Sequence, residues 1–254
     1  MTRKLMFTVD VDRDVNVQIE GSQAAGSLDR GQGTSPRFAS TEKGLAILSD
    51  LLDDLGIRGT FFIEGRTAET VDCSILSGHC IGFHGYDHED LTAVDGFRLV
   101  MDRGFTAVRD NVSKPVCFRA PYMRTNDSVI DELVRLGIRH DSSVYADPST
   151  QPYNVKGVME HPVAKGTDDR GKTIAAYLWP MHEGKRRPED YMALARACGD
   201  ADLVISTHSW HMVESRDSGP MPSDRVQSNR AQVEDVLRML MDDGFEPSVI
   251  CGDH

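Results

Sequence analysis

An α/β barrel of repeated strand–helix units is the fold class the sequence predicts, and three observations predict it. Short apolar, β-prone runs alternate with amphipathic helical stretches along the chain, the pattern of a parallel sheet. About seven such units fit into the chain, which favours a barrel over an open doubly wound sheet. The polar clusters Asp10/Asp12, His84/His88, Arg119/Tyr122 and His208 each fall just after a strand-like run. In a (β/α) barrel those positions converge on the C-terminal mouth, where the chemistry of such barrels sits.

The elements follow in order. Residues 5–9 are apolar and bounded by charges, as expected of a strand buried on both faces. Residues 14–40 are rich in Gly, Ser and Gln without periodicity and read as a long mobile loop bordering the mouth. Thr41-Glu42 opens a helix with Leu45, Leu48, Leu51, Leu52 and Leu55 on one face and Gly56 as its stop. Strands at 59–63, 80–83 and 115–118 alternate with a weak helix at 66–76 and a stronger one at 95–111. A helix over 128–136 stops at Gly137, and a short strand runs from Ile138 into Asp141-Ser142-Ser143. Between 144 and 188 the pattern weakens to strand pieces near 157–163 and 173–179. A helix at 188–197, a buried strand at 202–207, a loop at 212–227 and a helix at 228–242 follow, and a strand near 246–250 ends the chain. The reading is one domain over residues 1–254.

Forty acidic against twenty-eight basic side chains leave a formal charge of −12. That excludes a phosphate-backbone binder, which needs a basic patch, and an anionic membrane surface. The expected partner is a small molecule or oligosaccharide, with no nucleic acid and no membrane; a homo-oligomer stays open. Five cysteines, at 73, 80, 117, 198 and 251, show no Cys-x-x-Cys spacing. They read as free thiols of a reducing compartment. The N-terminus lacks a signal-peptide core, and no apolar run reaches bilayer length, so the expected location is cytoplasmic.

His84-Gly85-Tyr86-Asp87-His88 is the stretch around which the chemistry gathers. Two imidazoles four residues apart stack on one face of a helical turn, where both reach one metal ion. Asp12, closing the first strand, is the best third ligand. Asp10, two residues earlier, is placed to take a proton from water beside such an ion. Arg119, the only cation at a predicted mouth position, pairs with Asp10 and keeps it ionised and oriented. Tyr122 offers its backbone N–H to a developing oxyanion, and His208 donates a proton to the leaving group. Together these parts make a metal-assisted hydrolase of amide or ester bonds. Trp179 and Trp210 are candidates for stacking on a sugar, although packing is the commoner use of such side chains. His79, His140, His161, His182 and His254 read as surface or structural, and His211 fits either reading.

These residues resemble the motifs of the polysaccharide deacetylase family (carbohydrate esterase family four, the NodB-homology domain). Thr8-Val9-Asp10-Val11-Asp12 is similar to its first motif, and Thr60-Phe61-Phe62 with Gly65 to its Thr-Phe-Phe-x-x-Gly signature. His84-x-x-x-His88 resembles its metal motif, Arg119-Ala120-Pro121-Tyr122 its Arg-x-Pro-Tyr motif, and Ile205-Ser206-Thr207-His208 its last. The resemblance implies a distorted (β/α)7 TIM-like barrel. It implies Asp10 as base, and Asp12, His84 and His88 as ligands of a divalent metal, Zn2+ first with Co2+, Mn2+ or Fe2+ as alternatives. It also implies Arg119 orienting the base and His208 as acid.

The departures from the pattern shape the function expected. Val11 separates aspartates that are adjacent in the common first motif. That spacing, loop 14–40 and the Asp141 segment resemble an intracellular branch of peptidoglycan deacetylase-like and allantoinase-like proteins. The family's Asp-x-x-Asp-Trp motif is absent, leaving Asp141 as the candidate acid to orient His208. The leading expectation is removal of an acyl group from an N-acylated amino sugar. The alternatives are a cyclic amide or ureide hydrolase on the same scaffold, and a non-catalytic carbohydrate-binding relative.

Overall fold

A computed structural model describes residues 2–14, 36–216 and 218–252. Most of the expected loop 14–40 therefore lies outside the described residues. The first strand, β1 (Lys4–Val11), is the spine of the sheet. It pairs in parallel with β2 (Thr60–Ile63) on one edge and β11 (Leu203–His208) on the other. From β2 the parallel order continues through β3 (Cys80–Phe83), β4 (Cys117–Phe118) and β5 (His140–Asp141). Beyond β5 the chain bends, and β6 (Tyr145–Ala146) pairs in parallel with β9 (Val163–Thr167), which in turn pairs with β11. Strands β1, β2, β3, β4, the bent β5–β6 segment, β9 and β11 thus form a ring of seven positions, the distorted (β/α)7 barrel expected. Distortion enters because β5 and β6 are two residues each and turn between them.

The weakly patterned stretch 144–188 adds pieces outside this ring. Strand β7 (Tyr153–Val155) pairs antiparallel with β8 (Val158–Glu160), and β8 lies on β5. Strand β10 (Thr173–Ala175) pairs antiparallel with β9. The segment 212–227 carries the short ladder β12 (Glu214–Ser215) with β13 (Gly219–Pro220). The last strand, β14 (Glu246–Ser248), pairs with the start of β1.

Helices cover the outside. Helix α1 (Ala39–Leu55) buries Leu45, Leu48, Leu51 and Leu52 and ends on left-handed Gly56, as its spacing predicts. It starts two residues before the expected Thr41 because Asp14 caps it. Both oxygens of that carboxylate accept first-turn N–H groups, from Ser40 at 3.0 Å and Thr41 at 2.7 Å. The weak helix at 66–76 is only α2 (Gly65–Ala68) and a later 3-10 turn. Helices α3 (Phe97–Asn111) and α4 (Asp127–Leu136) match their predicted spans closely, and Asn126 caps the latter. After the short α5 (Trp179–His182), the predicted helix at 188–197 divides into a 3-10 turn and α6 (Met192–Ala197). Helix α7 (Ser223–Asp242) starts five residues earlier than its pattern. No helix among the described residues is long and apolar enough to cross a membrane.

Candidate active site

Strand alternation and register assemble the site. Along β1, Thr8 and Asp10 lie two residues apart and so share a face, and Asp12 continues that spacing just past the strand end. The Asp-Val-Asp spacing thereby directs both carboxylates to the barrel mouth while Val9 and Val11 pack into the apolar core. Asp10 is the direct register partner of His208 on β11. The imidazole Nε2 consequently lies 3.8 Å from Asp10 Oδ2.

Asp12, His84 and His88 each offer one ligand atom, and the three atoms lie within 4.8 Å of one another. All three residues are buried, and His88 Nε2 is 3.3 Å from Asp12 Oδ2. His84 Nδ1 donates to the Arg119 carbonyl at 2.7 Å. That bond leaves the lone pair on Nε2, the tautomer a metal ligand needs. The donor set of two imidazoles and one carboxylate suits a borderline divalent ion such as zinc.

The pair does not sit on a helical turn, which corrects the sequence expectation. Residues 84–88 form a loop beyond β3, with Gly85 at φ +69° and His88 at φ +59°. Left-handed residues break the helix, yet they bring the two rings to 5.1 Å between centroids. Among described non-glycine residues four have a left-handed backbone, and three of them, His88, Tyr122 and Met123, belong to this site. Strain of this kind, about 1–3 kcal/mol per residue, persists where the surroundings over-determine the geometry.

Arg13 supplies part of that determination and was not anticipated; Arg119 is not the only cation at the mouth. Arg13 is fully buried, donates through Nε to Glu64 Oε1 at 2.8 Å, and pairs with Asp87 between the two histidines. Arg66 holds Asp87 as well, at 2.6 Å. The end of β1, the end of β2 and the histidine loop are thus locked by one charge network. An arginine immediately after Asp12 reads in sequence as a solvated turn charge, so no local signal marked it.

Asp10 is gripped from several sides. Arg119 Nη1 donates to Asp10 Oδ1 at 3.0 Å and to Thr8 Oγ1 at 2.9 Å. Tyr177 donates its hydroxyl to Asp10 Oδ2. Burial pushes this carboxyl up, but its polar surroundings, the Arg119 guanidinium first and the Tyr177 hydrogen bond among them, outweigh it and hold the pKa below the usual range. Burial works against the Arg119 guanidinium too, and its neighbours together, Asp10 foremost, more than offset it.

The Asp141-Ser142-Ser143 segment acts on Arg119 rather than on His208. Ser142 accepts from Arg119 Nε through its carbonyl and from Nη2 through Oγ, both at 2.8 Å. Asp141 accepts from Ser143 Oγ and lies hydrogen-bonded against Glu160. Its register partners are Phe118 and Glu160. That places it away from His208, so the expected orienting role is not what the geometry supplies.

A cavity of about 190 Å3 opens over these groups, lined by Asp10, His84, His88, Tyr122 and His208 on the catalytic side. Ala120, Met123, Arg124, Tyr145, Tyr177 and Trp179 complete it. Tyr122 meets His88 edge-on at 4.5 Å. Trp179 lines the cavity, whereas Trp210 is fully buried and stacked on His211 at 4.3 Å. Of the two candidates for stacking on a sugar, Trp210 is therefore a packing residue, the commoner use of such a side chain. Tyr145 and Tyr177 come from the weakly patterned stretch, where no periodicity singled them out.

The sequence profile described as polysaccharide deacetylase matches residues 39–140, a span that contains the histidine loop and Arg119 but neither Asp10 nor His208. A peptidoglycan deacetylase-like protein of Gibberella zeae is 31% identical over 153 residues, covering 56% of this chain and 44% of that protein. The chain spans about half or less of the length of the curated relatives it matches. A crystal structure titled a putative polysaccharide deacetylase, from Mycobacterium smegmatis, shares the fold with a TM-score of 0.60 at 20% identity, covering 97% of this chain and 92% of that one. So does a family-four carbohydrate esterase pseudoenzyme of Bacillus anthracis, at TM-score 0.56 and 11% identity over 98% and 64% of the two chains. Residues 39–140 thus match the polysaccharide deacetylase model, and the chain is similar to named peptidoglycan and chitin deacetylases and shares the barrel of carbohydrate esterase family 4 structures.

Proposed function

We propose that the protein is a metal-dependent hydrolase that removes an acyl group from the nitrogen of an N-acylated amino sugar or related carbohydrate. The observation that carries this reading is that Asp10, His84, His88 and His208 line one cavity, with Arg119 holding Asp10 from behind and Asp12 completing the donor triad with the two histidines. The fold alone does not carry it, because a pseudoenzyme shares the fold. Asp12, His84 and His88 would hold the ion, Zn2+ before Co2+, Mn2+ or Fe2+. When bound, that ion supplies Lewis-acid polarisation and lowers the pKa of water.

The chain's own residues divide the remaining work. Asp10, held ionised by Arg119, takes a proton from the attacking water. The backbone N–H of Tyr122 serves the oxyanion that develops on the acyl carbonyl. His208, on the neighbouring strand, returns a proton to the departing amine, which leaves as the free amino sugar. Arg119 is itself fixed by Ser142, so the base is oriented before substrate arrives.

The relatives named above and their fellows are named for deacetylation, which favours this reading over a ring-opening amide hydrolase. A cytoplasmic location is the reading that the cysteine pattern, five residues without Cys-x-x-Cys spacing, favours. The test is acetate release from N-acetylglucosamine and its short oligomers by metal-loaded protein, run beside a ring-opening absorbance assay. Asp10→Asn and His208→Ala are expected to lower turnover at least about 100-fold with metal still bound. Acetate release that both variants retain, or ring opening without acetate release, sinks the assignment.

A further inference from the structure

Tyr177 stands in the site without a role in that scheme. Its phenol is buried and donates to Asp10 Oδ2, the oxygen that Arg119 does not hold and that faces His208 Nε2 at 3.8 Å. Its ring lies over the His208 imidazole, with centroids 5.3 Å apart and planes tilted by 36°. The backbone around it is fixed on both sides. Ala176 donates to Ala164 and Leu178 to Ser206, at 2.7 and 2.8 Å, and Ser206 donates back to Ala176 at 2.7 Å. Tyr191 donates its hydroxyl to the Tyr177 carbonyl at 3.1 Å. A phenol so anchored has one place to put its proton.

A carboxylate gripped through one oxygen still turns about its Cβ–Cγ bond. A second charge-assisted donor on the other oxygen fixes its plane and so the direction of its remaining lone pairs. We propose that Tyr177 is a positioning residue of the hydrolytic site, holding the second oxygen of Asp10 and the face of His208 so that base and acid keep a fixed relation. The inference rests on the deacetylase reading for its kinetics but on geometry for its contact. The segment bridging to β11 at Tyr177 and Ser206 is what carries the phenol to the base and to the face of His208. The hydroxyl stays protonated throughout, and the proton lost by water goes to Asp10.

Tyr177→Phe keeps the ring and removes the donor. With the metal-loaded protein and an N-acetylglucosamine oligomer, kcat is expected to fall about 10- to 100-fold, the usual effect of losing a partner that orients a ligating or reacting group. KM should stay within about twofold with metal content unchanged. An unchanged kcat, or a loss confined to KM, overturns the proposal. Infrared difference spectra of wild type and variant, with Asp10→Asn marking the band, read the contact independently of turnover. The Asp10 carboxylate stretch is expected to move in Tyr177→Phe, and no movement overturns the proposal. If wild type releases no acetate, the deacetylase reading fails while the spectra still decide on Tyr177. Should the Phe variant not fold, difluorotyrosine at position 177 keeps the shape and alters the donor, and an unshifted carboxylate band then counts against it.

Discussion

Asp10 shows how much of a residue's behaviour is set by its neighbours. A lone buried carboxylate would take up a proton; here its polar surroundings, led by the Arg119 guanidinium and including the Tyr177 phenol, hold it ionised. Arg119 is the largest of these influences, and both it and Asp10 are shut off from solvent. Replacing Arg119 with Met leaves a buried charge without its partner, so Arg119→Met is expected to cost about 3–5 kcal/mol of stability, read by urea unfolding of the metal-free protein. A loss below about 1 kcal/mol, the value of an exposed pair, contradicts the burial argument. At this scale the sequence pointed to Asp10, Asp12, His84, His88, Arg119 and His208, because each lies near the C-terminal end of a strand or just past it, and strand ends define the mouth. It did not show Arg13, Tyr177 or the role of Ser142. These act through contacts made across 51, 167 and 23 residues of chain, and no local pattern encodes such contacts.

The histidine loop is the element on which the triad depends, and helix α3 holds it from behind. Gly104 of α3 packs directly on the Gly85 carbonyl, and an added Cβ there would collide with that backbone atom. Gly104→Ala is helix-compatible, so local propensity predicts a gain, yet the collision forces the loop outward. The expected result is a loss of about 1–3 kcal/mol together with about tenfold weaker metal binding. Thermal melts with and without metal, combined with chelator competition, read the two effects separately; a stabilised variant with unchanged affinity contradicts the account. Helices α3 and α4 were legible because each carries its own apolar stripe. The true start of α1 was not, since its cap comes from Asp14, three residues past β1, rather than from its own first turn. The spacing of His84 and His88 announced a shared ligand. The helix inferred from that spacing was the wrong vehicle, because Gly85 and His88 adopt left-handed backbone.

Across the whole molecule, closure of the ring depends on the bent segment from β5 to β6, and a pair of buried acids anchors it. Glu160 accepts from the backbone of Ser143 at 3.0 Å and Val144 at 3.1 Å, while Asp141 takes the Ser143 hydroxyl. Burial raises both carboxyls, and the charge of Asp141 raises Glu160 further, so the pair keeps a proton where exposed acids have none. A group whose pKa is raised on folding stabilises fully below its unfolded value, about 4.3 for Glu, and that contribution fades as pH climbs through the raised value. The melting temperature of the wild type is therefore expected to decline toward alkaline pH, and that of Glu160→Gln to decline less. Parallel curves for the two proteins contradict this assignment. The barrel was legible from the strand–helix alternation, but the closing bend was not, because its strands are too short to show a period.

The site as a whole stands on the Asp12–His84–His88 triad, and native mass spectrometry of the purified protein tests it most directly. The account predicts one divalent ion per chain, kept by Asp10→Asn and lost by Asp12→Ala and His84→Ala. A wild-type chain that takes up no ion when zinc is supplied, or ligand variants that keep it, would contradict the account.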